Sequence, residues 1–465
     1  MSTGLRKLFR RSTDKVDELD DRLPYMDQAT FLSNTASGRV QVMHAIWFYE
    51  KPVDYDGLHK FHENFSHTMA ARRIERSPLP FGRHRWVLPE DSAVPLDVAE
   101  NTRPRSELGD WFEERTHTPI DPVNGPSWHI AVQPFSDGST GISIMVSHCV
   151  IDGAGGVMSA LEAMMGHRRE HLYDPPGSRT KWRAIRSDLR QARRDLPETG
   201  KALVNAAKMA YRHHNAVAEN RNQRPPVAPH SGSDEYVRVP FATAIFNAAE
   251  WDARAEALNG NSYSLVAGFA AELGRRMGRS RSSDGKVSLM VVINDRLTLD
   301  DTRANAMLFT NIVVDPHGVT TDLTEMRSNI RGALKSIKDA PDESFALLPL
   351  TPFIPKRAVN RTADLVFGDV PVTCSNFGEI PTMVGCVDGA TNATFVTAAG
   401  ADQNMRKADL DRTGGMLIVA SARYDGQLIL GVIGYRTGAD NRRAALRELL
   451  DETAAEFGLT PTMTF

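Results

Sequence analysis

The middle of the chain carries a positive charge that separates two segments of different character. Residues 167–224 contain 14 Lys and Arg against 6 Asp and Glu, although the 465-residue chain has a formal net charge of −3. Turn-forming residues at 174–177 and 224–229 bound this stretch. We therefore predict a basic connection made of two helical segments. It divides the chain into an N-terminal half (1–166), the connection (167–230) and a C-terminal half (231–465).

The N-terminal half combines helical and strand patterns. Apolar residues follow Asp54 at helical spacing, which predicts a capped amphipathic helix. Gly141–Ser147 alternates with a period of two residues, and this pattern predicts a strand with one buried face. Gly153–Met165 then predicts a helix whose apolar face includes Val157 and Leu161.

The C-terminal half repeats this combination. Asn261–Arg276 and Asn441–Phe457 have helical periodicity, and Val287–Ile293 is apolar and β-branched enough to predict a buried strand. Residues 416–433 predict a hairpin, because two apolar runs flank the turn pair Asp425-Gly426. The fold class predicted for the whole chain is mixed α/β.

Composition narrows the possible functions. The nearly balanced charge gives no general basic excess, so nucleic acid is not an expected partner. Three cysteines (Cys149, Cys374 and Cys386) without a Cys-x-x-Cys pair argue against a disulfide framework and a metal site. Met1–Arg11 lacks the apolar stretch of a secretory signal, and no run of about 18 apolar residues predicts a membrane span. We therefore expect a cytoplasmic protein.

One short segment carries the strongest chemical signal. His148 follows the strand predicted at Gly141–Ser147, and Asp152-Gly153 follow at the start of the next helix. The glycine allows a sharp turn from strand to helix, and the aspartate can fix the loop through an ion pair. A histidine with a near-neutral pKa can remove a proton from a hydroxyl group at physiological pH. We interpret His148, Asp152 and Gly153 as a catalytic segment with His148 as general base.

Other interpretations of this segment are weaker. Alternation places the side chains of Ser147 and Cys149 away from His148, which argues against a Ser–His dyad and a thiol nucleophile. The glycines at 153, 155 and 156 resemble a dinucleotide loop, but Met158 stands where the third glycine of that pattern is required. A structural histidine at the end of a strand remains the alternative.

Further motifs give the chain a resemblance to a known family. His148, Asp152 and Gly153 match the last three defining positions of HHxxxDG, the hallmark of the chloramphenicol-acetyltransferase-like and condensation-domain superfamily. Within that superfamily, the chain resembles the bacterial wax ester synthase/diacylglycerol acyltransferase group. The other similar segments are Pro24–Phe31, Met43-His44, Trp86-Val87, Pro119–Asp121, Pro126–Trp128, Val292–Arg296 and Ser375-Asn376.

The resemblance implies a fold and a reaction. Two chloramphenicol-acetyltransferase-like half-domains with mixed sheets would flank a central tunnel. An O-acyltransferase would use acyl-CoA as a substrate, without a further cofactor, and transfer the fatty acyl group to a lipid hydroxyl. The acceptor would be a diacylglycerol, a long-chain alcohol or a glycolipid. His148 would activate that hydroxyl as it attacks the thioester.

The resemblance also assigns supporting roles. Asn311, Ser375 and Asn376 are the candidates for donors to the tetrahedral oxyanion. Arg296 is the candidate partner of Asp152, which would leave Asp152 a structural rather than a catalytic role. Pro126 and Trp128 occupy family-motif positions.

Several positions depart from the family pattern. Ser147 replaces the first histidine of the pair, Ser262-Tyr263 replaces an Asn-Asp element, and Thr310-Asn311 replaces Gly-Asn. These changes keep two rival functions open. One is an acyltransferase or condensation enzyme whose donor is bound to a carrier protein, and the other is a catalytically weak lipid-binding scaffold on the same fold.

The basic connection itself allows two interpretations. It is either a solvated scaffold or a surface that holds the protein at an anionic membrane or a lipid droplet, with basic and apolar residues near the N-terminus contributing. A peripheral location at the inner membrane would suit a lipid substrate. The oligomeric state and the length of the acyl chain do not follow from the sequence.

Overall fold

Helices are interspersed with groups of strands along the chain. The computed structural model describes residues 20–90, 94–169, 172–213, 235–296, 298, 300–339, 343–354 and 372–465. The α-helices within these residues are α1 (Tyr25–Ser37), α2 (Tyr55–Phe65), α3 (Leu108–Arg115), α4 (Gly153–Met164), α5 (Lys181–His213), α6 (Ala248–Ala257), α7 (Ser262–Arg276), α8 (Thr324–Asp339), α9 (Lys407–Arg412) and α10 (Arg443–Glu456).

The strands of the described residues form two main sheets and two short ribbons. They are β1 (Val40–Tyr49), β2 (Arg73–Glu75), β3 (Arg85–Val87), β4 (Asp97–Val98), β5 (Trp128–Pro134), β6 (Thr140–Ser147), β7 (Tyr236–Val237), β8 (Phe241–Asn247), β9 (Val287–Asn294), β10 (Met307–Val314), β11 (Val372–Glu379), β12 (Phe395–Gln403), β13 (Met405–Arg406), β14 (Met416–Tyr424), β15 (Gln427–Tyr435) and β16 (Met463–Thr464). One sheet has five strands in the order β12-β1-β6-β5-β4, and the other has seven in the order β10-β9-β11-β14-β15-β8-β16. The predicted mixed α/β fold class is confirmed.

The smaller sheet contains a strand from the C-terminal half. β12 runs antiparallel to β1 over its whole length, from Val40 opposite Gln403 to Phe48 opposite Phe395. The two halves described by their sequence ranges are therefore not separate in space. The sequence of β12 does not show which strand it pairs with, because strand pairing over this distance depends on tertiary packing rather than on local pattern.

Most of the predicted elements are present, and their ends have local causes. Asp54 accepts hydrogen bonds from the backbone N–H groups of Asp56 and Gly57 and so begins α2. Asn261 forms a capping box with Ser264 at the start of α7. The hairpin of β14 and β15 turns at Asp425 and Gly426, both with positive φ, as the sequence predicts.

Two predicted strands differ from expectation in their burial. β6, an inner strand between β1 and β5, is buried at every position rather than on one face. β9 was expected to be buried on both faces, but buried and half-buried residues alternate along it. The half-buried residues Met290 and Val292 face a cavity, which explains the difference.

The buried face of α4 also differs from the predicted one. Val157 and Leu161 are only half-buried, while the buried positions include Ser159, Ala160 and Ala163. The small side chains on this face allow the helix to lie close to α2, its main neighbour. The helix itself lies where the sequence predicts it.

Within the residues that the structure describes, the two predicted helical segments of the basic connection form one helix. α5 continues from Lys181 to His213 through Pro197. A proline removes one backbone hydrogen bond, but the helix continues past residue 197, and the part before that residue is held to the rest of the protein by ion pairs. Asp188 binds Arg22 and Arg179, and Asp195 lies near Arg83. Among the described residues, none of the helices combines the length and the apolar character that crossing a membrane requires.

We predict that Asp188 anchors α5 to the rest of the protein. Its fully buried carboxylate contacts Arg22 at 2.8 Å, Arg179 at 3.1 Å and the Ser77 hydroxyl at 2.5 Å. Asp188→Ala leaves these groups without their partner, so it should cost about 3 kcal/mol of stability and lower the midpoint of thermal unfolding. Asn205→Ala, at an exposed position of the same helix, is the control. Equal midpoints for the two variants would contradict the prediction.

Candidate active site

His148 occupies a turn whose backbone is fixed from several sides. Its N–H donates to the carbonyl oxygen of Gln41 on β1 at 2.8 Å, and its own carbonyl oxygen accepts from the side chain of Asn305 at 3.4 Å. The backbone N–H of the preceding residue, Ser147, donates a hydrogen bond to the carbonyl oxygen of Ser127. The imidazole is half-buried and lines a cavity. Its Nδ1 is buried, and no described residue forms a hydrogen bond with it.

The cavity lies between the two main sheets and has a volume of ≈ 800 Å³. Residues of both the N-terminal and the C-terminal half form its wall. A cavity between the halves is what the family resemblance leads us to expect. Much of the lining is apolar, which suits a hydrocarbon chain. The apolar lining residues include Met43, Val157, Met158, Met290, Val292, Met307, Phe377 and Ile418.

Asp152 is held in place by three groups around its carboxylate. It accepts from the Gly155 N–H at 2.8 Å, which caps α4, and from the Ala306 N–H at 2.9 Å. Arg296 donates to both carboxylate oxygens at 3.0 and 3.1 Å, and both side chains are about 95% buried. Arg296 also donates to the carbonyl oxygens of Asp301 and Arg303. The expected ion pair is therefore present, and its geometry fixes the loop instead of orienting the His148 ring.

A second buried carboxylate fixes the same part of the chain. Asp27 on α1 accepts from the N–H groups of Ala304 and Asn305 and from the Asn305 amide. Burial raises the pKa of Asp27, while the charge of Arg72 and these hydrogen bonds act in the opposite direction. Because Asn305 also contacts the His148 carbonyl oxygen, α1 supports the turn that carries His148 through residues 304 and 305. In the sequence, Asp27 lies within the family-like segment Pro24–Phe31, and no local pattern predicts these contacts.

Gly153 is required for close packing at the start of α4. A Cβ atom at this position would lie 1.9 Å from Cε1 of Phe377, a residue of β11 that lines the cavity. At Gly156, three residues further along, a Cβ atom would meet nothing within 4 Å. The glycine of the motif therefore allows the helix of one half to contact a strand of the other.

The candidate oxyanion donors do not all reach the cavity. Ser375 and Asn376 line it from β11. The side-chain oxygen of Asn376 accepts from the Gly378 N–H at 2.9 Å and the Ser421 hydroxyl at 3.3 Å, an arrangement that leaves its NH₂ group as a donor. Asn311 is exposed on β10 and is not among the described residues that line the cavity. Asn311 is therefore not placed at the site, although Met307 at the start of the same strand lines the cavity.

The motif positions Pro126 and Trp128 contribute to packing. Trp128 is buried in the core and contacts the rings of Phe65 and His62. Pro126 precedes β5 and follows Gly125 through a cis peptide bond. Neither residue lines the cavity among the residues described there.

Other reactive groups are tied to structural contacts. Cys149 is buried, and burial raises the pKa of its thiol to about 11. Its sulfur accepts a hydrogen bond from Asn34, so its geometry does not suit a thiolate nucleophile. His44 is bound to Thr116 and Ser143, and burial lowers its pKa to about 3. It is therefore neutral at physiological pH.

The departures from the family pattern have local partners. The Ser147 hydroxyl is buried and accepts from the Cys149 N–H at 3.3 Å. Ser262 accepts from Arg423 at 3.0 Å, and Tyr263 donates to the Cys374 carbonyl oxygen at 3.5 Å. These residues stabilise the scaffold and leave the cavity in place.

Asp402 is a cavity residue that the sequence analysis does not identify. It lies on β12 directly opposite Gln41, the residue whose carbonyl oxygen binds the His148 N–H. Burial raises the pKa of Asp402, against the opposing charges of Arg39 and His148 and a hydrogen bond from the Gln41 side chain. The carboxyl group remains half-exposed because it faces the cavity. No sequence signal identifies Asp402, since it reaches the site only through the pairing of β12 with β1.

Comparison with solved structures identifies the fold of the chain. No protein-family model matches the chain, and no curated protein matches it. Solved structures do match: the first condensation domain of the CDA synthetase aligns with a TM-score of 0.58 and 12% identity, over 95% of this chain and 98% of that domain. The chain has the fold of a condensation domain.

Two further structures support this assignment. The cyclization-docking bidomain of EpoB from Sorangium cellulosum aligns with a TM-score of 0.55 and 14% identity, over 94% of this chain and 84% of that protein. The epimerization domain from the third module of tyrocidine synthetase B aligns with a TM-score of 0.52 and 12% identity, over 94% of both chains. The predicted two-lobed fold is confirmed, whereas the narrower resemblance to wax ester synthase/diacylglycerol acyltransferases is not supported.

We predict that Gly153→Ala forces Phe377 out of its position. The added methyl group should cost about 1–3 kcal/mol of stability through overpacking, measured by thermal unfolding. Gly156→Ala, which adds the same atoms in open space on the same helix, is the matched control and should not destabilise the protein. Adding Phe377→Leu to Gly153→Ala should restore part of the lost stability. Equal effects of the two alanine variants would refute the close packing.

We predict that Asp402→Asn stabilises the protein at neutral pH. Since burial raises the pKa of Asp402, the folded state holds its proton more tightly than the unfolded chain, and stability falls as the pH rises from the unfolded pKa to the folded pKa. The amide removes this cost, so the thermal midpoint should exceed that of the wild type at pH 7 and converge with it in acid. Asp300→Asn, at an exposed position on the same cavity, should show no such trend.

Proposed function

We propose that the protein is an acyltransferase in which His148 is the general base and the acyl donor is a thioester bound to a carrier protein. One observation carries the proposal: the His148 imidazole lines a largely apolar cavity between the two sheets, and its buried Nδ1 has no protein partner among the described residues. A ring nitrogen in this environment is available to a substrate. The likeness to condensation and cyclization domains supports the choice of a carrier-bound donor.

The reaction follows from the groups around the cavity. His148 removes the proton of the acceptor's hydroxyl or amino group as that group attacks the thioester carbonyl carbon. The carbonyl oxygen gains negative charge, and the donor groups of Ser375 and Asn376 are candidates to stabilise it. The tetrahedral intermediate collapses with cleavage of the C–S bond, and His148 returns its proton to the thiolate. No covalent intermediate with the enzyme is needed.

Asp402 is the candidate for a supporting role in this step. As His148 takes up a proton it becomes positively charged, and a carboxylate on the same wall of the cavity stabilises that charge. Asp152 is unsuited to this role because Arg296 and two backbone N–H groups already occupy its carboxylate.

A second candidate is transfer from acyl-CoA to a lipid hydroxyl, the function implied by the sequence resemblance. The apolar wall of the cavity, with Met43, Met158, Met290 and Met307, favours a long hydrocarbon chain in either reaction. The two candidates share His148 and differ in what carries the thioester and in the acceptor. A direct comparison of donors therefore separates them.

We predict that His148→Ala lowers the rate of acyl transfer by about 10²–10⁴-fold, because the acceptor loses its general base. Release of free thiol from the donor measures the rate. His59→Ala, at an exposed position on α2, is the control and should retain full activity. Both variants should unfold at the wild-type temperature. Undiminished transfer in a folded His148→Ala protein would exclude the mechanism.

The donor is tested with one acyl chain on two carriers. Purified protein receives the same acyl group either on coenzyme A or on the phosphopantetheine arm of a carrier protein, together with a panel of alcohols, diacylglycerol and amines. Turnover that requires the carrier-bound donor supports the leading proposal. Equal or faster turnover with acyl-CoA and a lipid alcohol favours the second candidate. Lipid binding without any transfer would favour a scaffold instead.

A further inference from the structure

An apolar stripe runs along the outer face of α5. Trp182, Leu189, Leu196 and Leu203 follow one another at intervals of seven residues, so they lie on one side of the helix with a drift of about 20° per interval. Tyr211 continues the stripe near the end of the helix. All five side chains are between 49% and 88% exposed. Scattered exposed apolar residues are common, but a row of them along roughly 44 Å of helix is not.

A row of positive charges lies beside this stripe. At 100° per residue its members fall on an adjacent sector of the same exposed face, and all of them are exposed. In the part of the chain that the structure describes, they form no ion pairs with acidic side chains. The row consists of Arg183, Arg186, Arg190, Arg194, Lys201 and Lys208.

The acidic residues of α5 contact the rest of the protein, although Glu198 itself is exposed. Asp188 is buried against Arg22 and Arg179, Asp195 lies near Arg83, and Glu198 lies next to Tyr25. These three are all the acidic residues of the helix. The inner face thus uses its negative charges to anchor α5, and the outer face presents only apolar and positive side chains along the stripe.

We propose that this outer face binds the surface of a membrane that contains anionic lipids. An apolar stripe next to a basic row is the arrangement by which amphipathic helices lie in the interface, with the apolar side chains among the acyl chains and the basic ones at the phosphate groups. Trp182 and Tyr211 stand near the two ends of the stripe, and both residue types favour the interface.

The charge pattern favours a lipid surface over a protein partner. A folded partner needs a complementary groove and a limited patch, whereas the apolar stripe and the basic row continue along most of a 33-residue helix. Binding through this face is independent of acyl transfer, so it stands or falls separately from the function proposed for His148.

Trp182 provides a fluorescent reporter of contact between the outer face of α5 and a membrane. The chain has six, and the five other than Trp182 are at most 5% exposed, while Trp182 is 81% exposed. Full-length protein is mixed with vesicles of phosphatidylcholine alone or with about one third phosphatidylglycerol, and tryptophan emission and vesicle flotation are recorded. Anionic vesicles should shift the emission to shorter wavelength and carry the protein upward. Trp182→Phe should abolish the spectral shift but keep most of the flotation.

Two sets of variants test the two parts of the face. Replacing Arg186, Arg190 and Arg194 by glutamine should weaken binding by about 100-fold, at about five-fold for each charge. Leu189→Ala with Leu196→Ala should weaken it by about 10-fold or more. The matched control replaces Arg327, Arg331 and Lys335 by glutamine, because α8 carries these three exposed charges at helical spacing without exposed large apolar residues beside them.

The results separate this proposal from its alternatives. Failure to bind anionic vesicles overturns it, as does binding that the α5 variants leave unchanged. Binding of an acidic carrier protein that requires the same arginines, without vesicle binding, would assign the face to a protein partner instead. His148→Ala should bind vesicles as the wild type does, so a loss of catalysis and a loss of membrane binding can be told apart.

Discussion

Asp152 joins the turn that carries His148 to the polypeptide that follows β9, and the arrangement of the cavity depends on this contact. Its carboxylate caps α4 in one half and binds Arg296 and the Ala306 N–H in the other. A buried ion pair gives little net stability, but removing one partner leaves an uncompensated charge. The pair therefore holds the two halves in one relative position around the cavity, and Asp27 reinforces this through residues 304 and 305.

The sequence predicts the parts of this arrangement that have local causes. The strand before His148, the helix after Gly153 and the hairpin at Asp425-Gly426 follow from periodicity and turn chemistry, and all are present. The pairing of Arg296 with Asp152 follows from the family resemblance, and the two side chains do meet. Asp402 could not be predicted, because only the pairing of β12 with β1 brings it to the site. Asn311 was expected near the site and is exposed on an edge strand instead, since a motif position alone does not fix the direction of a side chain.

The basic connection is a second case in which the sequence predicts the composition of a segment but not its arrangement in space. Its charge excess is evident from the sequence, but whether the excess lies on one face depends on the phase and length of the helix. The sequence predicts two helical segments, whereas one continuous helix through Pro197 brings Trp182, Leu189, Leu196 and Leu203 into one row. Packing of Asp188 and Asp195 against the protein determines which face of α5 is turned outward.

The pairing of β12, from the C-terminal half, with β1, from the N-terminal half, has a consequence for synthesis of the protein. The ribosome produces β1 long before residues 395–403, so the nascent N-terminal half carries β1 as an open edge with unpaired N–H and C=O groups and a largely apolar sequence. Such an edge can template aggregation until its partner arrives. A fragment that ends in the connection would keep this edge permanently, so the chain is expected to reach its folded state as a whole, with a chaperone able to shield β1 while translation continues.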